Sequence, residues 1–323
     1  MDVDSEQAPA TDQGLTRAEG LYFEDCGLII QAESTLFRIS RDYLASQSPV
    51  FRDMLSLPPP KTADMMDGCP FVQLPDTAKD VTVFLKALMF CDFFEAHPVQ
   101  VSFAIVIGVF RMSHKYEVDS LRKRALVHIC AAYPTTLGEY DRLIASQIKP
   151  IWTRSPEEVD SFVLLARELS FDWILPVAFY QICEIVPESH MLSGPYELKD
   201  KVRLVTACRI LEGSATSNFL QFLWPGEGNV SGCSSPARCR EAKFHARQLA
   251  EEYRERIPNA FPALPLRIWE VRDWVHVAVC QTCLAFMKRE HQLAKQNFWD
   301  NLPAMFDLPE WSELEKIKIE AFK

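Results

Sequence analysis

Four cysteines in the last third of the chain, Cys233, Cys239, Cys280 and Cys283, have the residue type and spacing that metal chemistry needs. Cys280-Gln281-Thr282-Cys283 puts two thiols three residues apart on a helix, hence on one face, where both reach one ion. Cys233 and Cys239 lie in or beside a Gly/Ser/Pro loop able to fold over that face. Four thiolates close a tetrahedral zinc shell and leave no position for a substrate, so an ion held there clamps the segment and does not catalyse. His245 and His276 are substitute ligands. The alternative is that these are reduced cysteines packed as small hydrophobes, the role expected of Cys26, Cys91, Cys130, Cys183 and Cys208. The Cys233-x5-Cys239 spacing is wider than a usual knuckle. A redox-active pair is disfavoured, because Cys280 falls inside a helical pattern running from Leu266 to Glu290 and not at a helix N-terminus.

Other catalytic signatures fail. There is no GxxxxGK[ST], no GxSxG, no HExxH and no GxGxxG after a strand. A zinc deaminase requires His-x-Glu and Pro-Cys-x-x-Cys, but Val279 precedes Cys280 and neither His245 nor His276 is followed by such a glutamate. The acidic residues fall mainly on polar helix faces, where solvation accounts for them. The expectation is a protein that is not an enzyme, with a metal-dependent enzyme as the remote alternative.

Composition bounds what positions these residues. At 323 residues the chain exceeds one ordinary domain, and 48% hydrophobic side chains supply a real core. A net charge of -10 argues against a nucleic-acid partner, which needs clustered Lys and Arg. No basic-then-apolar N-terminal stretch suggests secretion, and the longest apolar run, Val101 to Phe110, is too short to span a bilayer. No membrane association is expected, and an intracellular place, cytoplasmic or nuclear, fits ten cysteines read as reduced thiols or metal ligands.

The organising stretch is Asp25 to Leu55, read as strand, strand, helix, helix. Leu28-Ile29-Ile30 and Leu36-Phe37-Arg38-Ile39 are β-prone runs joined at Glu33-Ser34. Ser40 can cap one short helix, and Ser48-Pro49 starts another, with proline at a position whose N–H has no helical partner anyway. The pattern Phe37-x-Ile39-x-x-x-x-Leu44-Ala45-x-x-Ser48-Pro49-x-Phe51-x-x-Met54 resembles the opening of a BTB/POZ domain, with Ser40 where most members carry histidine. The resemblance covers residues 21–134. It implies an α+β fold, a small mixed sheet surrounded by helices, and a protein partner: a second copy, another BTB protein or a cullin. For a cullin-type ubiquitin-ligase adaptor, the loop before the third strand usually offers an apolar residue, any residue and then an acid, a role that Met65, Met66 and Asp67 would fill. The competing version is a BTB oligomerisation module in transcriptional regulation.

Residues 1–20, acidic and almost free of large apolar side chains, read as a disordered tail without the N-terminal strand that many BTB dimers exchange. Pro58-Pro59-Pro60 reads as a loop. Beyond it, Phe71 to Leu74 is a strand candidate, and Thr77-x-x-Asp80 opens a helix burying Val81, Phe84, Leu85, Leu88 and Met89. Val101 to Met112 forms a helix buried all round, and Val118 to Ile129 a striped one. Residues 135–224 form an all-α extension with a strong start at Ser155-Pro156-Glu157-Glu158. Pro225-Gly226-Glu227-Gly228 marks a break before the Cys-containing helical region, residues 225–323. Its ending, Trp299-Asp300-x-Leu302-Pro303-x-x-Phe306-x-Leu308-Pro309-x-Trp311-x-x-Leu314, together with the late cysteines, resembles the C-terminal region of the BTB proteins of mushroom-forming fungi. Trp299 and Trp311 are expected in the core.

Overall fold

Two short N-caps fix the entry into the first helices, and they act as local hydrogen bonds. Ser40 Oγ accepts from the Tyr43 amide at 3.3 Å, and Ser48 Oγ accepts from the Phe51 amide at 3.1 Å. They head α1 (Arg41–Gln47) and α2 (Pro49–Ser56) in a computed structural model that describes residues 14–57, 65–145, 155–211, 219–223, 230–256 and 265–323. Residues 1–13 of the expected tail, Pro58-Pro59-Pro60 and the Pro225 to Gly228 break lie outside the described residues. The fold is α+β, with one small mixed sheet near the N-terminus and helices beyond it. The chain divides into two compact units, Met1–Ile129 and Cys130–Lys323. The division falls inside a helix a few residues before Pro134, where sequence placed it.

In the first unit a five-stranded sheet runs in the order β1-β3-β2-β5-β4, with β1 Thr16–Tyr22, β2 Leu28–Ala32, β3 Thr35–Ile39, β4 Met65–Met66 and β5 Cys69–Leu74. The central β2–β3 pair is the expected hairpin, registering Leu28 on Ile39 and Ala32 on Thr35 around Glu33, which takes φ +50°. β2 runs parallel to β5, and β1 runs parallel to β3. β1 corrects the expectation of a tail to residue 20: residues 16–20 are a strand. It is held by backbone pairing, since Leu21 is its one buried residue.

Three helices follow in this unit, α3 (Ala78–Met89), α4 (Phe103–Lys115) and α5 (Asp119–Ala132), the last crossing the boundary between the units. Thr77 Oγ1 caps α3 by accepting from the Asp80 amide at 3.1 Å, and the capped helix buries Val81, Phe84 and Leu85. α4 packs so closely on α3 that a Cβ at Gly108 would lie 2.5 Å from Val83 Cγ2. Only glycine fits that crossing. Ser48 ties the layers together: fully buried, it also donates to the Tyr116 carbonyl at 2.6 Å, beside the Phe51–Tyr116 ring stack at 4.4 Å.

The second unit continues with α6 (Leu137–Ala145), α7 (Pro156–Glu168), α8 (Leu175–Ile185), α9 (Glu188–Ser193), α10 (Leu198–Ile210), α11 (Pro236–Arg256), α12 (Gln281–Met305) and α13 (Trp311–Ala321). Ser155 caps α7 as expected, accepting from the Glu158 amide at 3.2 Å. α8 is buried from Leu175 to Tyr180, so other helices enclose it. Buried Asp200 accepts two hydrogen bonds from Arg167, at 2.9 and 2.7 Å, and one from Arg203 at 3.0 Å, linking α7 to α10. The regions before and after Pro225 share one unit: Tyr180 Oη accepts from the Leu266 amide at 2.9 Å, and Arg267 pairs with Glu184 at 2.7 Å. Trp299 is buried and stacks on Trp311 at 5.0 Å with an interplanar angle of 4°. No helix among the described residues is long and apolar enough to cross a membrane.

Candidate metal centre

The C-terminal cysteines are positioned by the beginnings of two helices. Cys233 follows Gly232, whose φ of +81° belongs to the left-handed region, in a turn closed by the Cys233 amide on the Val230 carbonyl at 2.9 Å. Ser235 and Pro236 then start α11, and Cys239 sits in its first turn, its amide bonded to the Ser235 carbonyl at 2.9 Å. Cys280 is the N-cap residue of α12 and Cys283 lies in the first turn of that helix. This corrects the sequence reading of a continuous helix from Leu266 to Glu290. The chain makes a short 3-10 turn at Val271–His276, extends through Val277, and begins α12 only at Gln281. Alternating Val275, Val277 and Val279 favour extended backbone over helix at that point.

One sulfur from each of the four cysteines lies within 4.8 Å of all the others. Cys233 Sγ and Cys280 Sγ are 3.8 Å apart. Four sulfurs at about 2.3 Å from one zinc ion stand roughly 3.8 Å from each other at the corners of a tetrahedron, so the cluster has nearly the dimensions that such an ion requires. Cys239 and Cys283 are buried, at 3% and 2% exposure, while Cys233 and Cys280 form the half-buried outer edge. His245 and His276 are exposed and stand outside this group, so the site is built from thiols alone. All ten cysteines are free.

The electrostatics around the sulfurs are uneven. The Cys283 amide, followed by the Ser234 amide, lowers the Cys280 thiol to about 5, as expected for a sulfur at a helix N-terminus. Burial, reinforced by the thiols of Cys233, Cys280 and Cys239, pushes Cys283 up to about 12. At Cys239 the Cys280 amide favours the thiolate, but burial and the thiols of Cys280 and Cys233 outweigh it and the displacement is upward. Four adjacent sulfurs cannot all carry charge unaided. A cation would supply what the inner two lack, and its binding would release their protons. Sequence reasoning missed Ser234, whose amide and hydroxyl face Cys280, and Lys243, a buried cation one turn beyond Cys239 on α11. The Ser-Ser-Pro run before Cys239 was the available signal for that helix start.

The Met65, Met66 and Asp67 triplet lies in a hairpin, not the expected loop. Met65 and Met66 form β4, opposite Pro70 and Cys69, and Asp67 and Gly68 turn the chain with φ of +51° and +72°. Two consecutive positive φ values are what an Asp-Gly type I′ turn requires, a signal present in the sequence. Met65 is 59% exposed, whereas Met66 packs toward Ile29, Leu36 and Cys69. Asp67 accepts from Tyr22 Oη at 3.0 Å and from Arg17 at 3.3 Å, which anchors the turn to β1.

No family model, curated protein or solved structure matches the chain.

Proposed function

We propose that the chain is a non-catalytic protein-interaction protein, with an N-terminal unit of BTB/POZ type that docks a protein partner and a C-terminal helical unit clamped by a structural zinc ion. The observation that carries the clamp is the convergence of Cys233, Cys239, Cys280 and Cys283 within 4.8 Å. Thiolates at all four corners leave no open coordination position, so such an ion contributes folding energy and not Lewis-acid chemistry. When bound, zinc supplies four metal–sulfur bonds that join the starts of α11 and α12. The residues themselves orient those bonds through the Cys280, Cys283 and Ser234 amides.

The BTB part of the reading is supported by the order of elements: a central hairpin, two serine-capped helices, a mixed sheet, and a buried α4. Met65 presents an apolar side chain on an edge strand beside an acid, the chemistry of an anchor residue entering a partner's pocket. The partner on this account is a cullin, another BTB protein or a second copy, inside the cell. The purified 323-residue chain is tested for metal content, for self-association by sedimentation, and for capture of a cullin N-terminal domain. Capture that Met65→Asp abolishes without moving the melting temperature supports the adaptor. Micromolar self-association without capture favours the oligomerisation module. Absence of both capture and self-association, or turnover of a small molecule, overturns the reading.

A further inference from the structure

The four cysteines do not meet solvent equally, and the inequality has chemical consequences. Cys239 and Cys283 are shielded, whereas Cys233 and Cys280 are half-buried and have sulfurs 3.8 Å apart. The two sulfurs that an oxidant reaches are therefore already neighbours. Cys233 lies in the turn after Gly232, outside any helix, and can approach Cys280 without unwinding α11 or α12. The sulfurs must close from 3.8 Å to a disulfide bond of about 2 Å, and Cys233, in a turn, is the partner free of helical hydrogen bonding.

We infer that Cys233 and Cys280 form an oxidation site, at which a peroxide joins them in a disulfide and opens the metal clamp. The inference rests on the zinc reading for its consequence and on the geometry of the outer pair for its chemistry. One thiolate attacks a peroxide oxygen, the O–O bond breaks, and a sulfenic acid forms as one water leaves after protonation. The other thiolate attacks that sulfur, the S–O bond breaks, and a second water leaves. Two thiolates, one hydrogen peroxide and two protons thus give one disulfide and two waters, the sulfurs losing two electrons and the peroxide gaining them. The ion then keeps only Cys239 and Cys283, half of its shell, and is released. Exposed Cys91 also meets peroxide, and the chemistry there ends at the sulfenic or higher acids unless a second thiol arrives from solution.

The test treats the 323-residue protein, its zinc content measured, with hydrogen peroxide, follows zinc release with a chromophoric chelator, and maps disulfides after tryptic digestion. Cys233 falls in the peptide Ile210 to Arg238, and Cys280 shares the peptide Asp273 to Lys288 with Cys283, so fragmentation between Cys280 and Cys283 assigns the sulfur. The expected result is release of the bound zinc in step with a Cys233–Cys280 crosslink, reversed by dithiothreitol and zinc. Cys91→Ser leaves both unchanged. Retained zinc at peroxide doses that oxidise Cys91 overturns the inference while leaving the clamp intact, and a crosslink between Cys239 and Cys283 in place of the outer pair overturns it as well. A Cys233–Cys280 crosslink in protein that never held metal supports the oxidation site and removes the clamp reading instead.

Discussion

Cys280 donates its backbone N–H to the sulfur of Cys239 at 3.2 Å, so an amide at the start of one helix is satisfied by a thiol carried on another. An N-cap amide is ordinarily satisfied by water or by the side-chain oxygen of the residue three positions on. Here the hydrogen bond makes two helix origins a single structural object, and the stability of both depends on the charge state of the sulfurs.

Metal removal is therefore expected to act on the second unit. All seven tryptophans lie beyond residue 150, so tryptophan fluorescence reports that unit and is blind to the first. Stripping zinc with a chelator is expected to lower the fluorescence-detected melting temperature, by the equivalent of about 4 kcal/mol when free metal had stood a thousandfold above its dissociation constant. The far-ultraviolet signal of the N-terminal unit is expected to keep its own transition. An unchanged fluorescence transition contradicts the clamp.

Ser48 and Ser40 are both N-caps but differ in burial, and their alanine variants are expected to separate accordingly. Ser40→Ala loses one partly exposed cap bond, for about 0.5–1 kcal/mol. Ser48→Ala loses the cap and also leaves the buried Tyr116 carbonyl without this donor, for roughly 2–3 kcal/mol. Denaturation followed by circular dichroism measures both, and equal losses would show that Ser48 acts only as a cap.

His291 gives the second unit a pH dependence. Buried against Phe219, Phe222 and Trp274, with no hydrogen-bond partner for Nε2 among the described residues, its imidazole is pushed down to about 4 by burial and secondarily by Lys295. The unfolded chain, near the ordinary 6.5, binds a proton that the folded chain refuses. The stability of this neutral packing is complete above about 6.5 and is lost as pH falls toward about 4, by at most about 3 kcal/mol. His291→Phe keeps the aromatic volume and is expected to flatten that slope in denaturant titrations at pH 7, 6 and 5. A slope identical to that of the parent protein would mean that other groups set it.

Local chemistry was legible in the sequence, and distant packing was not. The caps at Ser40, Ser48, Thr77 and Ser155 are each written within four residues, and each forms. β1 escaped notice because a strand with only Leu21 buried leaves no alternation to read; pairing with β3 makes it, and that partner lies some twenty residues on. The helix expected from Leu266 does not form before Gln281: turns and a 3-10 stretch run to His276, β-branched Val277 and Val279 favour extension after it, and Cys280 becomes an N-cap. Cys280 and Cys283 were recognisable as a pair from spacing alone. Their meeting with Cys233 and Cys239 depends on the packing of α11 near α12, which brings Ala246, Ala250 and Met287 into one core with Trp269.

The central claim is a metal ion enclosed by four sulfurs, and the zinc K-edge absorption spectrum of the purified chain tests it most directly. The account predicts one zinc per chain and a single shell of four sulfurs at about 2.3 Å, with no oxygen or nitrogen neighbour. A light-atom ligand in that shell, or protein that takes up no zinc from a reduced, metal-supplemented preparation, would contradict it.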